Sequence, residues 1–313
     1  MRVLFAGSPV IAVPSLEEIY RQEGIELVGA LTNADTPKGR HAAPQPTDIA
    51  AAAQKINGMP VLKPEKLDAS AREQVALLKP DILISFAYGH IFGPKFLALF
   101  PLGGINIHPS LLPKYRGPSP IQTAILNRDP VTGITVQTLA LEMDQGDILA
   151  AERIELSDRE TAGSLGELAA QKAAQMIISV LMKIKDGTVT KTAQNHEEAS
   201  YCKLISRDDG LIDWSLSAVQ IEAKIRAFDP WPLCRTIHNG RELYILKADI
   251  FKGQAPEKSP GQVLGIDKEN GILIQTGDGI LSVTQLQYQA KKALAWRDFL
   301  NGARDFLGSR LGN

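Results

Sequence analysis

An alternation constrains the fold more than any other feature. Through the first two thirds of the chain, short and almost wholly apolar runs alternate with stretches whose apolar residues recur at helical spacing. Val3–Ala6, Leu27–Thr32, Ile82–Phe86 and Ile105–His108 read as strands buried on both faces, each bounded by Gly, Pro or polar turns. Helices are predicted near Ser15–Arg21, Thr47–Ile56, Ser70–Leu78 and Ser119–Leu126. Such an order predicts an α/β fold: a doubly wound, mostly parallel, Rossmann-like sheet with helices on both faces. In that architecture functional residues gather at the carboxyl ends of strands. Gly133–Leu139 and Ile148–Leu156 read as further strands, and a long helix follows from Ser164 to Lys185, with Ser164 and Glu167 at capping-box spacing.

After Asp186-Gly187 the character changes. Thr188–Ser206 is polar with little periodicity and reads as a linker. Beyond it a helix near Ser217–Phe228 precedes short alternating strands punctuated by Asn239-Gly240, Ser259-Pro260-Gly261, Asn270-Gly271 and Gly277-Asp278-Gly279. Strands at that spacing predict a small antiparallel β-barrel, OB-like in size. With 313 residues the chain is long enough for two unequal domains. The expected division is 1–188, a linker at 189–206, and 207–313.

Composition removes several function classes. The formal charge is -1, so no global positive field draws the chain to nucleic acid or anionic membranes, although a local basic patch stays open. The N-terminal apolar run breaks at Gly7 and Pro9, too early for a signal peptide or a membrane span, and a cytoplasmic protein is expected. Cys202 and Cys234 belong to no CxxC or Cys/His cluster, so neither a disulfide framework nor a metal site is expected.

Gly104-Ile105-Asn106-Ile107-His108 holds the first candidate chemistry. In a strand, residues two apart share a face, so Asn106 and His108 project together where the strand ends, just before Pro109. Two satisfied core polar groups would look the same, and position alone leaves the two readings even. A rigid loop, Ser110-Leu111-Leu112-Pro113-Lys114-Tyr115-Arg116-Gly117, follows. Glu142-Met143-Asp144-Gln145-Gly146-Asp147 is an acidic loop in which Asp144, taken singly, reads as a turn residue.

Taken together these stretches resemble the folate-dependent formyltransferases. Phe5-Ala6-Gly7-Ser8-Pro9, Phe86-Ala87-Tyr88-Gly89, the run from Ile105 to Gly117 and Met143-Asp144-Gln145-Gly146-Asp147 match. So, late in the chain, do Ile212-Asp213-Trp214-Ser215, Ile225–Pro232 and Thr276-Gly277-Asp278-Gly279. The resemblance runs nearly end to end, and the Asn-x-His pair with SLLP-x-Y-R-G is its most specific part. It implies acyl transfer from 10-formyltetrahydrofolate, a cosubstrate, to an amine, without a covalent enzyme intermediate. Asn106 and His108 would stabilise the developing oxyanion, and Asp144 would orient His108 and help remove the proton of the amine. It also implies a folate site at Phe86, Ala87, Tyr88, Gly89, His90 and Ile91, with Ser110, Leu111, Leu112, Pro113, Leu139 and Met143.

Relatives in this family formylate different amines. The additional C-terminal domain and the loop Thr32–His41 favour initiator methionyl-tRNA as acceptor. Lys38, Arg40 and His41, with Lys291 and Lys292, are the expected tRNA contacts, and no protein partner beyond a monomer is expected. The loop is a few residues shorter than the family pattern and lacks its basic pair, and the region from Lys191 on holds 16 Lys+Arg against 15 Asp+Glu. An amino sugar on a nucleotide is the alternative acceptor. A dinucleotide oxidoreductase fits poorly, since Phe5-Ala6-Gly7-Ser8-Pro9-Val10 offers one Gly and a Pro where GxGxxG belongs. A non-catalytic RNA-binding module would leave Asn106, His108 and Asp144 without a role.

Overall fold

A computed structural model describes residues 1–37, 43–56, 58–254 and 258–312. Contacts divide the chain into two compact units. The first comprises Met1–Pro120, Val131–Glu155 and Gly166–Lys203, the second Ile121–Pro130, Leu156–Leu165 and Leu204–Asn313.

The first unit holds strands β1 (Arg2–Gly7), β2 (Glu26–Leu31), β3 (Thr36–Pro37), β4 (Pro44–Gln45), β5 (Val61–Leu62), β6 (Ile82–Phe86), β7 (Gly104–His108), β8 (Val131–Thr138) and β9 (Ile148–Glu155). Helices α1 (Val13–Arg21), α2 (Asp48–Ala53), α3 (Ala69–Leu77) and α4 (Pro94–Leu97) connect them; α5 (Pro120–Leu126) is assigned almost wholly to the second unit, and α6 (Ala162–Lys185) to the first from Gly166 onward. The main sheet runs β5-β2-β1-β6-β7-β8-β9, parallel through β7 and antiparallel from β7 to β9. Its central strands are apolar on both faces because both faces are covered. Thr47 and Asp68 cap α2 and α3, each side chain accepting from the backbone N–H three residues on. β2 lies on one side of β1 and β6 on the other. The order in which strands are added therefore reverses there, which opens a crevice at the carboxyl ends of β1 and β6.

The second unit carries α7 (Ala218–Ala227), β10 (Cys234–His238), β11 (Arg241–Phe251), β12 (Val263–Asp267), β13 (Gly271–Gln275), β14 (Ile280–Tyr288), β15 (Leu294–Ala295) and α8 (Trp296–Gly302). Its antiparallel sheet runs β10-β11-β14-β13-β12, with β15 beside β14. The two edge strands are joined by the C-terminal segment. Val263 N–H donates to the Ser309 carbonyl at 2.9 Å, and Gly312 N–H to the Ile237 carbonyl at 2.9 Å. Among the described residues no helix is long and apolar enough to cross a membrane.

Two local expectations need correction. The stretch 189–206 is not a loose linker: Thr192 pairs with Ile148, Arg116 N–H donates to the Ser200 carbonyl, and Gln194 is buried. Polar residues there satisfy buried groups of the first unit rather than water, and polarity alone cannot show that difference. The capping pair of α6 is Thr161 with Ser164, not Ser164 with Glu167. Ser164 N–H donates to Thr161 Oγ1 at 3.2 Å and Thr161 N–H to Ser164 Oγ at 3.0 Å, because the helix begins at Ala162, two residues before the expected Ser164.

Candidate active site

β7 delivers Asn106 and His108 to one face, with Ile105 and Ile107 buried on the other. Both polar side chains meet Asp144. Asn106 Nδ2 donates to Asp144 Oδ1 at 3.4 Å, and His108 Nδ1 stands 3.5 Å from the same oxygen. Gln137 Nε2 donates to Oδ1 at 3.0 Å, and Gly117 N–H to Oδ2 at 2.8 Å. The carboxylate is thus the point at which β7, β8 and the loop after Tyr115 converge.

His108 is 4% exposed, and its Nε2 lies 2.8 Å from the Tyr115 carbonyl. A carbonyl only accepts, so Nε2 carries a proton. Its Nδ1 faces the Asp144 carboxylate, so the ring is oriented from both of its nitrogens. The backbone around the site is held in uncommon conformations: Ala87, Tyr115 and Asp144 have φ of 51, 59 and 56. Left-handed non-glycine residues persist only where surrounding contacts hold them. Gly146 is required for another reason. A Cβ there would lie 1.7 Å from the Thr138 carbonyl oxygen.

The residues expected at the folate site divide by exposure. Phe86 and Tyr88 are buried, and the Tyr88 ring packs in the core with Leu4, Leu83, Phe92 and Phe96. Its hydroxyl has no hydrogen-bond partner among the described residues, and burial pushes its pKa up to about 12. Only the backbone of Tyr88 faces the carboxyl edge, where its carbonyl accepts from Asn33 Nδ2 at 3.2 Å. Ala87, Gly89, His90 and Ile91 are exposed, and His90 Nε2 donates to Asn33 Oδ1 at 2.9 Å. Ser110 and Leu112 are buried and hold the loop, Ser110 Oγ donating to the Lys114 carbonyl and Leu112 N–H to Thr135 Oγ1. Leu111, Pro113 and Leu139 are partly exposed and Met143 is exposed. The loops after β6 and β8 therefore offer turned-out backbone and exposed apolar side chains, Ile91, Leu141 and Met143. That chemistry suits a flat heteroaromatic ring with polar edges.

Lys38, Arg40 and His41 lie outside the described residues. Lys291 and Lys292 are exposed at the β14–β15 turn in the second unit. The structure brings Asn106, His108 and Asp144 together, and it adds two residues that sequence reasoning missed. Gln137 stands opposite Asn106 in the β7–β8 register, and Gln194 reaches the Asp144 and Gly146 carbonyls at 2.8 and 2.7 Å. An amide within the β-branched run Ile134–Thr138 was at most a weak signal for Gln137. None existed for Gln194.

Comparison with known proteins gives the family of the chain. The formyl transferase family model matches residues 1–181, and that of the formyl transferase C-terminal domain matches residues 204–304. The chain is 48% identical to the methionyl-tRNA formyltransferase of Treponema denticola, covering 98% of both chains. It is 40% identical to that of Roseiflexus castenholzii, covering 100% of this chain and 99% of the relative. Among solved structures, the sugar 3N-formyl transferase WlaRD shares the fold with a TM-score of 0.65 at 20% identity, covering 93% of this chain and 99% of that one. HypX from Aquifex aeolicus, solved with tetrahydrofolic acid, does so at 0.66 and 17%, covering 98% of this chain and 48% of that one. Matched in both parts, and alike to these relatives over its full length, the chain belongs to the formyl transferase family.

Proposed function

We propose that this chain transfers the formyl group of 10-formyltetrahydrofolate to the α-amino group of methionine on initiator methionyl-tRNA, for the start of translation. The convergence of Asn106, His108 and Gln137 on the single carboxylate of Asp144 carries the chemistry. The acceptor amine attacks the formyl carbon, a tetrahedral centre forms, and the bond to N10 of the folate breaks as N10 takes up a proton in place of the one the amine gives up. Asn106 Nδ2 holds Asp144 with one N–H and has a second to give to the developing oxyanion. His108, pinned at Nε2, adds to that stabilisation as a cation or as a hydrogen-bond donor. Asp144 takes the amine proton, directly or through water.

Folate falls to the loops after β6 and β8, with Phe86–Ile91, Ser110–Pro113, Leu139 and Met143 as its setting. The acceptor reading draws on the names of relatives alike over the full chain. Residues 1–188 would carry catalysis and 207–313 would bind tRNA, with Lys291 and Lys292, and with Lys38, Arg40 and His41, on its phosphates. An acceptor of this kind fits a cytoplasmic protein, and we take it to act as a monomer.

The test offers the purified protein 10-formyltetrahydrofolate with charged initiator methionyl-tRNA or with a nucleotide-linked amino sugar. Formylmethionine on the tRNA is expected, with kcat/KM falling steeply as salt rises. A product on the sugar alone refutes the acceptor, and no product on either refutes formyl transfer.

A further inference from the structure

The segment around 192–202 bonds to the catalytic turn from behind, and one side chain makes the contact. Gln194 is 6% exposed. Its Oε1 accepts from Arg116 Nε at 3.1 Å and Nη2 at 2.7 Å, which fixes the orientation of the amide. Nε2 then faces acceptors only: the Asp144 carbonyl at 2.8 Å, the Gly146 carbonyl at 2.7 Å and Gln137 Oε1 at 3.2 Å. Gln137 passes the chain on, its own Nε2 donating to Asp144 Oδ1 at 3.0 Å.

At the far end stands a buried cation. Arg116 is 1% exposed, and neutral groups hold its guanidinium: Gln194, the Tyr201 hydroxyl at 3.1 Å and His196 Nδ1 at 3.1 Å. Among the described residues no carboxylate pairs with it. Charge-assisted bonds are the strong ones, and amides in series polarise one another in a low dielectric. Every donor of this chain points from Arg116 toward Asp144, whose backbone is held at φ 56.

We infer that Gln194 is a positioning residue for the reaction: anchored on Arg116, it clamps the carbonyls of the 144–146 turn and, through Gln137, aims the Asp144 carboxylate at Asn106 and His108. The inference rests on the formyl-transfer reading of the site. Its alternative is a purely structural amide that shelters the Arg116 charge.

Gln194→Glu separates the two. It keeps the length and gives Arg116 a carboxylate, but it has no N–H to give the turn. A sheltering role predicts wild-type turnover for this variant. A positioning role predicts a kcat about 10- to 100-fold lower, with KM for both substrates within about twofold; a lower Tm is expected under either role, because the turn carbonyls lose their donor. Gln194→Met, neutral and also without donors, should lose kcat in the same way and serves if the charged variant does not fold. A folded variant of either kind with wild-type kcat, or one whose loss lies wholly in KM, overturns the inference. Wild type assayed alongside keeps the two readings apart: if it does not formylate, the proposed function itself fails. If it does and the variants match it, only the role of Gln194 falls.

Discussion

Asp144 owes its place to groups that are distant in sequence and few in kind. Its carboxylate accepts from Asn106, Gln137 and Gly117, 38, 7 and 27 residues away, and its carbonyl from Gln194. The half of this constellation on β7 was legible, because period-two alternation puts Asn106 and His108 on one face whatever the tertiary fold. Gln137 and Gln194 were not, since their roles depend on an antiparallel register and on a segment whose polarity looked like solvation. The resemblance, not the spacing, singled out Asp144 in an otherwise ordinary acidic turn. The turn itself can be tested at Gly146, whose N–H donates to Gln137 Oε1 at 3.1 Å and whose carbonyl accepts from Gln194. A methyl group there meets the Thr138 backbone, which cannot yield as a flexible side chain would. Gly146→Ala should cost about 1–3 kcal/mol of stability by overpacking and lower kcat by displacing Asp144. Denaturant unfolding and turnover read both effects, and a variant unchanged in each would show that the turn is slack.

The elements were legible wherever local chemistry defines them. Ile82–Phe86 was read with its bounds intact, and the strands and helices around it within a few residues, because apolar runs and caps need no knowledge of neighbours. The hairpin β10–β11 turns at Asn239-Gly240 with φ of 48 and 73, both left-handed, as a two-residue turn between twisted strands requires. What escaped was closure of the antiparallel sheet through the C-terminal segment, since Gly308–Gly312 has no strand pattern of its own. Helix α7 shows how a short element is stabilised locally. Ser217 Oγ accepts from Gln220 N–H at 3.2 Å, and Gln220 Oε1 accepts from Ser217 N–H at 3.0 Å. Ser217→Ala removes the first bond and should cost about 1 kcal/mol. A shift in the unfolding midpoint with no change in kcat is the expected result, and an unmoved midpoint would mean that the cap is redundant.

At the scale of the whole molecule, the second unit carries a titratable group whose charge the fold opposes. His238 is buried against Phe306 and Tyr288, its Nδ1 lies 2.6 Å from the Tyr288 hydroxyl, and its Nε2 has no partner. Burial pushes the His238 pKa below its ordinary 6.5; Arg241 adds to that push and Asp305 opposes it. The folded protein therefore binds this proton less readily than the unfolded chain does. Stability from a neutral His238 is present above about 6.5 and is lost as pH falls from there toward the depressed folded value. All three tryptophans, Trp214, Trp231 and Trp296, lie in the second unit, so their fluorescence follows that unit alone. Unfolding midpoints measured this way from pH 8 to 5.5 should drop below pH 6.5 in wild type. In His238→Gln they should drop less, because the variant has no proton to gain on unfolding, even though its midpoint at pH 8 is lower for want of the ring packing. Parallel curves for the two proteins would assign the acid sensitivity of this unit to other groups.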